Sequence, residues 1–275
     1  MIPVELELDA DQVADKLDKL KERPIKTNVK LFTNHNGLRP NKMHLFMAPT
    51  GVGKSTFVRT LTIDFLKNNP DKKMLIWLTE ETIEDFEDEF SNCVGFDFKK
   101  HTGRLNITSE QDLTEDETAD DVKKQMKEMI EKYDYDLVVL DNITTSRLCL
   151  GKSSGEQEKS AAWLKSFCKK NLALFVVAHT GGAVQESSNR LLDENDIRGN
   201  KTLVNLTEFL YILQPFRVKN LLFQFLVTKK SRGQEIKSRY IGVEYNKYTR
   251  TFSNDAYVDF EELKEIFKKR NRLDG

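Results

Sequence analysis

Cysteine is scarce, apolar runs are short and neither sign of charge prevails, and each shortage removes a class of protein. The three cysteines, Cys93, Cys149 and Cys168, lie far apart and share no metal-ligand spacing. That excludes a zinc module and predicts buried or free thiols of a reducing compartment. No stretch reaches the length of a membrane span, and residues 1–6 hold neither a basic leader nor an apolar signal core. The expectation is a soluble, cytoplasmic protein with no membrane partner. The formal net charge is −1, so nucleic acid would have to be met by local basic loops, not by a globally basic surface. What is present is a chain of 275 residues, 39% hydrophobic, enough for one large core and at most a small appendage. The expected division is an N-terminal helix or linker arm at 1–30 and one large domain at 31–275.

Within that domain the apolar residues fall into short runs separated by amphipathic stretches. A largely apolar run at 43–47 and continuous apolar runs at 74–78, 137–140 and 172–178 predict strands buried on both faces. Between them, helical spacing places Ile83, Phe86 and Phe90 on one inward face and Val122, Met126, Met129 and Tyr133 on another, with a further helix at 161–169. The acidic tract 109–121 reads as a solvated face. Strands alternating with helices imply a mainly parallel α/β sheet with right-handed crossovers. Beyond residue 207 the pattern changes to runs at 209–213, 221–228 and 236–245 and a last short strand, so antiparallel strands finish the sheet and a helix at 259–269 ends the chain. Val13, Leu17 and Leu20 predict a separate short helix at 9–22, closed by Pro24. Its narrow stripe fits its own domain or a neighbouring subunit equally well.

The first buried run leads directly into Ala48-Pro49-Thr50-Gly51-Val52-Gly53-Lys54-Ser55-Thr56, followed by an amphipathic stretch at 57–66. This is the strand, loop and helix order of a nucleotide-binding P-loop. Residues 49–56 are expected to bind the nucleotide: successive backbone N–H groups cradle phosphate, the following helix aims its positive end at it, Lys54 reaches the outer phosphates and Ser55 is the Mg²⁺ ligand, with Thr56 closing the nucleotide-binding stretch. Ala48 stands where the common pattern has its first glycine, a small change at a point where the chain only leaves a strand. Gly51 and Gly53 lie where backbone must approach phosphate.

Ligands of an open parallel sheet bind beyond the carboxyl ends of its strands, so the residue ending each run carries the chemistry. Asp141 ends one run in the manner of a Mg²⁺-binding aspartate. Glu80 is placed to orient or deprotonate the attacking water, with Glu81 the alternative because a strand end is uncertain by a residue. His179 is placed to donate to the γ-phosphate.

Together these motifs resemble the RecA-like ATPase core of ring-shaped replicative helicases, the DnaB, Twinkle and phage primase-helicase family, over about residues 37–252, with the phage-type branch the best fit. Gly37-Leu38-Arg39-Pro40 is similar to the family's lead-in, Trp77-Leu78-Thr79-Glu80-Glu81 to its second strand with the catalytic glutamate, and His179 to its phosphate sensor. Asp196-Ile197-Arg198-Gly199 resembles the motif after its second DNA-binding loop, and Val243-Glu244-Tyr245-Asn246-Lys247 the strand whose tyrosine stacks on the base.

The resemblance implies a homo-hexameric, ATP- and Mg²⁺-dependent motor on single-stranded DNA, phage-encoded and acting in a bacterial host cytoplasm, with primase or loader as separate partners. It also implies that Lys230 and Arg232 reach into the neighbouring subunit's nucleotide. DNA would run on loops 144–155, with Arg147 and Lys152, and 181–195, with Asn189 and Arg190. Both loops are polar and glycine-bearing, and less basic than strong DNA binding needs. Two alternatives share the catalytic residues: a RecA- or KaiC-like ATPase that forms a filament or regulatory assembly, and a nucleic-acid packaging motor.

Overall fold

A computed structural model describes residues 24–33, 37–168, 171–181, 191–199, 201–218, 221–232 and 239–259. The expected helices at 9–22 and 259–269, and Asn189 and Arg190, lie outside these residues, apart from Asp259 itself, which ends a strand.

The strands are β1 Met43–Ala48, β2 Met74–Leu78, β3 Leu105–Ser109, β4 Leu137–Asp141, β5 Ala173–His179, β6 Phe209–Val218, β7 Leu221–Ser231, β8 Arg239–Asn246 and β9 Thr251–Asp259. They form one nine-stranded sheet in the order β3-β2-β4-β5-β1-β6-β7-β8-β9. The pairs from β3 through β6 are parallel, and those from β6 through β9 antiparallel. The helices are α1 Lys30–Thr33, α2 Lys54–Asn68, α3 Ile83–Ser91, α4 Ala119–Tyr133, α5 Ser154–Phe167 and α6 Thr202–Leu206. Among the described residues, no helix is long and apolar enough to cross a membrane.

The two-residue period of a strand divides the core in two. From β1, Phe46 and Ala48 join one cluster with Phe57, Leu61 and Phe65 of α2. Met43, Leu45 and Met47 join the other, with Val122 and Met126 of α4 and Ala161 and Leu164 of α5. Every residue of β1, β2, β4 and β5 is buried, as the continuous apolar runs predicted. The first cluster is rich in rings: Phe57 stacks on Phe46 at 4.2 Å, while Phe32 meets Tyr211 edge-on at 5.1 Å. Ile25 and Val29, inside the span expected to be an arm, belong to this cluster. Core packing therefore reaches back at least to Ile25, whose backbone bridges Leu38.

Several details differ from the expectations. Strand β3 had no strong apolar run because the middle of Leu105–Ser109 is only half-buried at the sheet edge. The helix expected at 161–169 begins earlier, at a capping box formed by Ser153 and Glu156. Ile83 is half-buried, while Phe86 and Phe90 face the core as expected. The acidic tract is not wholly a solvated face. Glu110 is 4% exposed, and its carboxylate accepts from Trp77 Nε1 at 2.9 Å, Ser146 Oγ at 2.7 Å and the Arg147 amide at 2.7 Å.

Phe57 joins the P-loop helix to the sheet through rings on several sides. Phe57→Ala is expected to lower unfolding stability by about 3–5 kcal/mol, the usual cost of removing a buried phenylalanine, measured by urea denaturation. A loss below about 1 kcal/mol would mean that this face of the sheet does not depend on the aromatic stack.

Candidate nucleotide site at the carboxyl edge of the sheet

After β1 the chain turns through Gly51 at φ 79° and Gly53 at φ 97°, the latter at the N-cap of α2 in the left-handed region. The second glycine is required twice over. Its φ disfavours a side chain, and a Cβ there would stand 2.7 Å from the Phe252 ring. Gly53 also leaves α2 without a side-chain cap, so the first-turn amides remain available to an anion. The far half of the sheet braces the loop. Gln224 of β7 donates to the Val52 carbonyl, and the Phe252 amide donates to Thr60 Oγ1 at 2.9 Å.

Lys54 is 7% exposed and donates to the Pro49 carbonyl at 3.2 Å. Burial lowers the pKa of its ammonium, while the nearby Asp141 and Glu80 charges oppose that shift. Asp141 is as deeply placed. Desolvation, reinforced by Glu81 and Glu80 and opposed by Lys54, raises its pKa to about 7. Among the described residues its carboxylate accepts no hydrogen bond. A buried carboxylate of this kind, near Lys54 and Glu80, is an oxygen donor of the kind a hard divalent cation takes.

His179 ties the site together. Ala48 and His179 are partners in the β1–β5 register, which sets the ring between the P-loop and β2. Its Nδ1 lies 3.2 Å from Thr50 Oγ1 and its Nε2 3.0 Å from Glu80 Oε1. With Nε2–H donating to the carboxylate, Nδ1 accepts from the threonine hydroxyl. The His179 bond, against an opposing push from burial and with help from Asn142 and Lys54, holds the Glu80 carboxyl at about 2. Glu80 is thus ionised at any working pH, and of the two candidate glutamates it is the one bonded to His179.

Three residues to which the sequence analysis gave no catalytic role complete this cluster. Asn142 Nδ2 lies 3.1 Å from His179 Nε2, and its Oδ1 accepts from the amide and hydroxyl of Thr145, both at 3.1 Å. Thr79 Oγ1 accepts from the Asn142 amide at 2.9 Å and meets Thr145 Oγ1 at 2.7 Å. A strand-end rule extended by one residue in each direction, to the neighbours of Glu80 and Asp141, would have found Thr79 and Asn142.

The remaining candidates divide. Tyr245 is exposed, and its ring meets Phe252 edge-on at 6.4 Å. Phe252 in turn touches Gly53, so Tyr245 flanks the P-loop. Lys230 and Arg232 lie elsewhere: Lys230 pairs with Leu210 near the start of β6, beside the amino end of β1, whereas the P-loop follows the carboxyl end. At roughly 3.3 Å per residue this separates them from their own phosphate site by on the order of 15 Å. They donate instead to carbonyls at the end of α6, Lys230 to Val204 and Arg232 to Asn205, each at 2.5 Å.

Arg147 is committed within its own fold. Its guanidinium donates to the carbonyls of Thr114, Glu117 and Leu113 at 2.8, 2.6 and 3.3 Å. Lys152, half-buried just before the α5 cap, is engaged in no such clamp. Cys93, Cys149 and Cys168 are free thiols, as expected.

A P-loop on the central strand of a mixed sheet, with His179 ending the adjacent β5 and acidic residues at the ends of β4 and β2 beyond it, defines a RecA-like P-loop ATPase fold. A family profile described as AAA domain matches residues 5–183, more than half of the chain, and the chain belongs to that family. Among solved structures it is similar to a KaiC-like protein from the hyperthermophilic archaeon Pyrococcus horikoshii OT3, with a TM-score of 0.64 at 15% identity over 86% of this chain and 98% of that one. No curated protein matches.

Glu80→Gln is expected to retain nucleotide binding and to lose about 10²–10⁴-fold in turnover, the range for removing a general base. A steady-state phosphate-release assay beside a binding titration checks it, and unchanged turnover would move the role to Glu81.

Asp141 gives a second test, with its sign set by burial. The folded pKa lies above the unfolded value of 3.8, so ionised Asp141 disfavours the native state, and stability falls as pH rises from about 4 through about 7. Asp141→Asn is therefore expected to raise the melting temperature of the nucleotide-free protein at pH 8 more than at pH 5. An equal shift at both values would mean that burial does not penalise the charge.

Proposed function

We propose that this P-loop ATPase is a ring-forming, ATP-driven motor that translocates on single-stranded DNA as a homo-hexamer, with each nucleotide held between adjacent subunits. The 49–56 loop binds the phosphates, Ser55 and Asp141 would hold Mg²⁺, and Tyr245 flanks the base. A Mg²⁺ ion held there would supply charge neutralisation at the phosphates. Glu80 positions and deprotonates water, His179 holds Glu80 and senses the terminal phosphate through Thr50, and Lys54 steadies the charge that develops on the transferred group.

The observation that carries this reading is the position of Lys230 and Arg232. They stand at the sheet end opposite their own P-loop, a position that supports a role at another subunit's nucleotide and not at their own. Lys152 and the 181–195 segment are the remaining DNA candidates once Arg147 is committed elsewhere. A second reading, a KaiC-like regulatory assembly that unwinds nothing, is favoured by the extent of the likeness to the KaiC-like protein, which reaches 98% of that chain. ATPase rates with and without single-stranded DNA, read beside assembly state, separate the two.

Arg232→Ala is expected to leave nucleotide binding by isolated subunits nearly intact and to cut assembled turnover by about 10³-fold or more, the scale of a trans-acting arginine. Mixing it with Glu80→Gln subunits should restore part of the turnover, because each mixed interface can join an intact Glu80 to an intact Arg232. Mixed assemblies that form and stay inactive would sink the trans role.

A further inference from the structure

Next to His179, on the sheet face covered by α5, the chain encloses a cavity of about 290 Å³ between the loop after β4, α5 and residues 197–199. Its walls are mostly apolar, with Ile143, Ala161, Ile197 and Leu203 inside and Leu150, 60% exposed, at the mouth. Two walls are bonded to the backbone of the same residue. The His179 amide donates to Thr144 Oγ1 at 3.0 Å, and the Arg198 amide donates to the His179 carbonyl at 2.9 Å. An occupant of this cavity therefore bears directly on the histidine that holds Glu80.

Two polar groups define the occupant's chemistry. The Gln157 amide nitrogen donates to the carbonyls of Cys149 and Lys152 at 3.2 and 3.1 Å. Its Oε1 receives no hydrogen bond among the described residues and faces Gly199, where a Cβ would stand 3.6 Å from it. Arg198 is exposed at the rim, with no side-chain hydrogen bond or ion pair among the described residues. A planar cation, one acceptor and apolar walls match a flat heteroaromatic ring whose edge bears an N–H.

We propose that this cavity captures one unstacked base of single-stranded nucleic acid, with the Arg198 guanidinium on the base face and Gln157 Oε1 accepting from the base edge. The proposal rests on the single-stranded DNA reading above and adds a grip that phosphate contacts do not provide. It also answers the weak charge of the two loops. Stacking and burial of a base do not depend on counterion release, so a motor with few free cations can still hold its strand. Because Thr144 and Arg198 flank His179, the captured base reports strand occupancy to the catalytic cluster through two backbone bonds.

The test compares a fluorescent single-stranded oligonucleotide with the same sugar–phosphate backbone made abasic throughout, using the full chain with ATP analogue and Mg²⁺. The wild type is expected to bind the base-bearing strand on the order of ten-fold or more tighter than the abasic one, as stacking of a base implies. Two variants probe the cavity. Ala161→Phe fills it, and Arg198→Lys keeps the charge while losing the plane. Each should bring the ratio of affinities close to one while leaving abasic binding within about two-fold. Thermal melting confirms folding, and Arg198, being exposed, gives a variant whose fold is not at stake.

Equal binding of both strands by the wild type, or a ratio that survives both substitutions, overturns the base site and leaves the DNA reading standing. Absence of binding to either strand overturns both. If the variants lose self-association in sedimentation while the ratio is unchanged, the cavity receives a second copy of the chain and the proposal fails.

Discussion

A parallel sheet covered by helices on both faces leaves polar side chains open to a ligand only at the ends of its strands, and the site follows from that constraint. With β1, β2, β4 and β5 buried along their whole length, the first polar side chain beyond each apolar run emerges at one edge. Strand order decides which of them meet. Because β5 lies between β1 and β4, His179 stands between the P-loop and the acidic ends of β2 and β4, where one imidazole reaches both Thr50 and Glu80. The cost of this crowding is visible in the shifts: burial lifts Asp141 and lowers Lys54, while a hydrogen bond from His179 depresses Glu80. Groups held in such opposed states are suited to binding a cation and phosphate, which relieve the strain that apolar neighbours impose.

The antiparallel extension has a different task. Parallel strands present all their carboxyl ends on one side, whereas antiparallel strands alternate, so β7–β9 address both edges of the sheet. At the carboxyl edge of β1, Gln224 and Phe252 brace the P-loop and Tyr245 stands beside it. At the opposite edge the end of β7 carries Lys230 and Arg232 against the last carbonyls of α6. One sheet thus carries the P-loop at one end and the Lys230 and Arg232 pair at the other.

Much of this was legible because strong local patterns and tertiary demands coincide. The P-loop, the strands at 43–47, 74–78 and 137–140, and the roles suggested for Lys54, Asp141, Glu80 and His179 all come from runs whose apolar character and terminal residue are encoded within a few positions. Where burial is one-sided or long-range, local patterns mislead. Strand β3 is half-exposed and reads weakly. Glu110 sits in an acidic tract that looks solvated, yet it is buried because Trp77 and the loop after β4 close over it. Arg147 reads as a free cation in a loop, and only the folded 113–117 segment offers the carbonyls that hold it.

By itself the sequence determined which residues end each buried run, since the first polar residue after an apolar stretch marks where burial stops. The tertiary structure decided how those ends are assembled: that His179 meets Glu80 while Thr79 and Thr145 hold Asn142 beside the ring, that Lys230 and Arg232 stand at the end of the sheet away from their own P-loop, and that a cavity opens beside His179. Each of these depends on strand order and register, which are set by contacts between residues far apart in the chain and leave no mark in any short window of sequence.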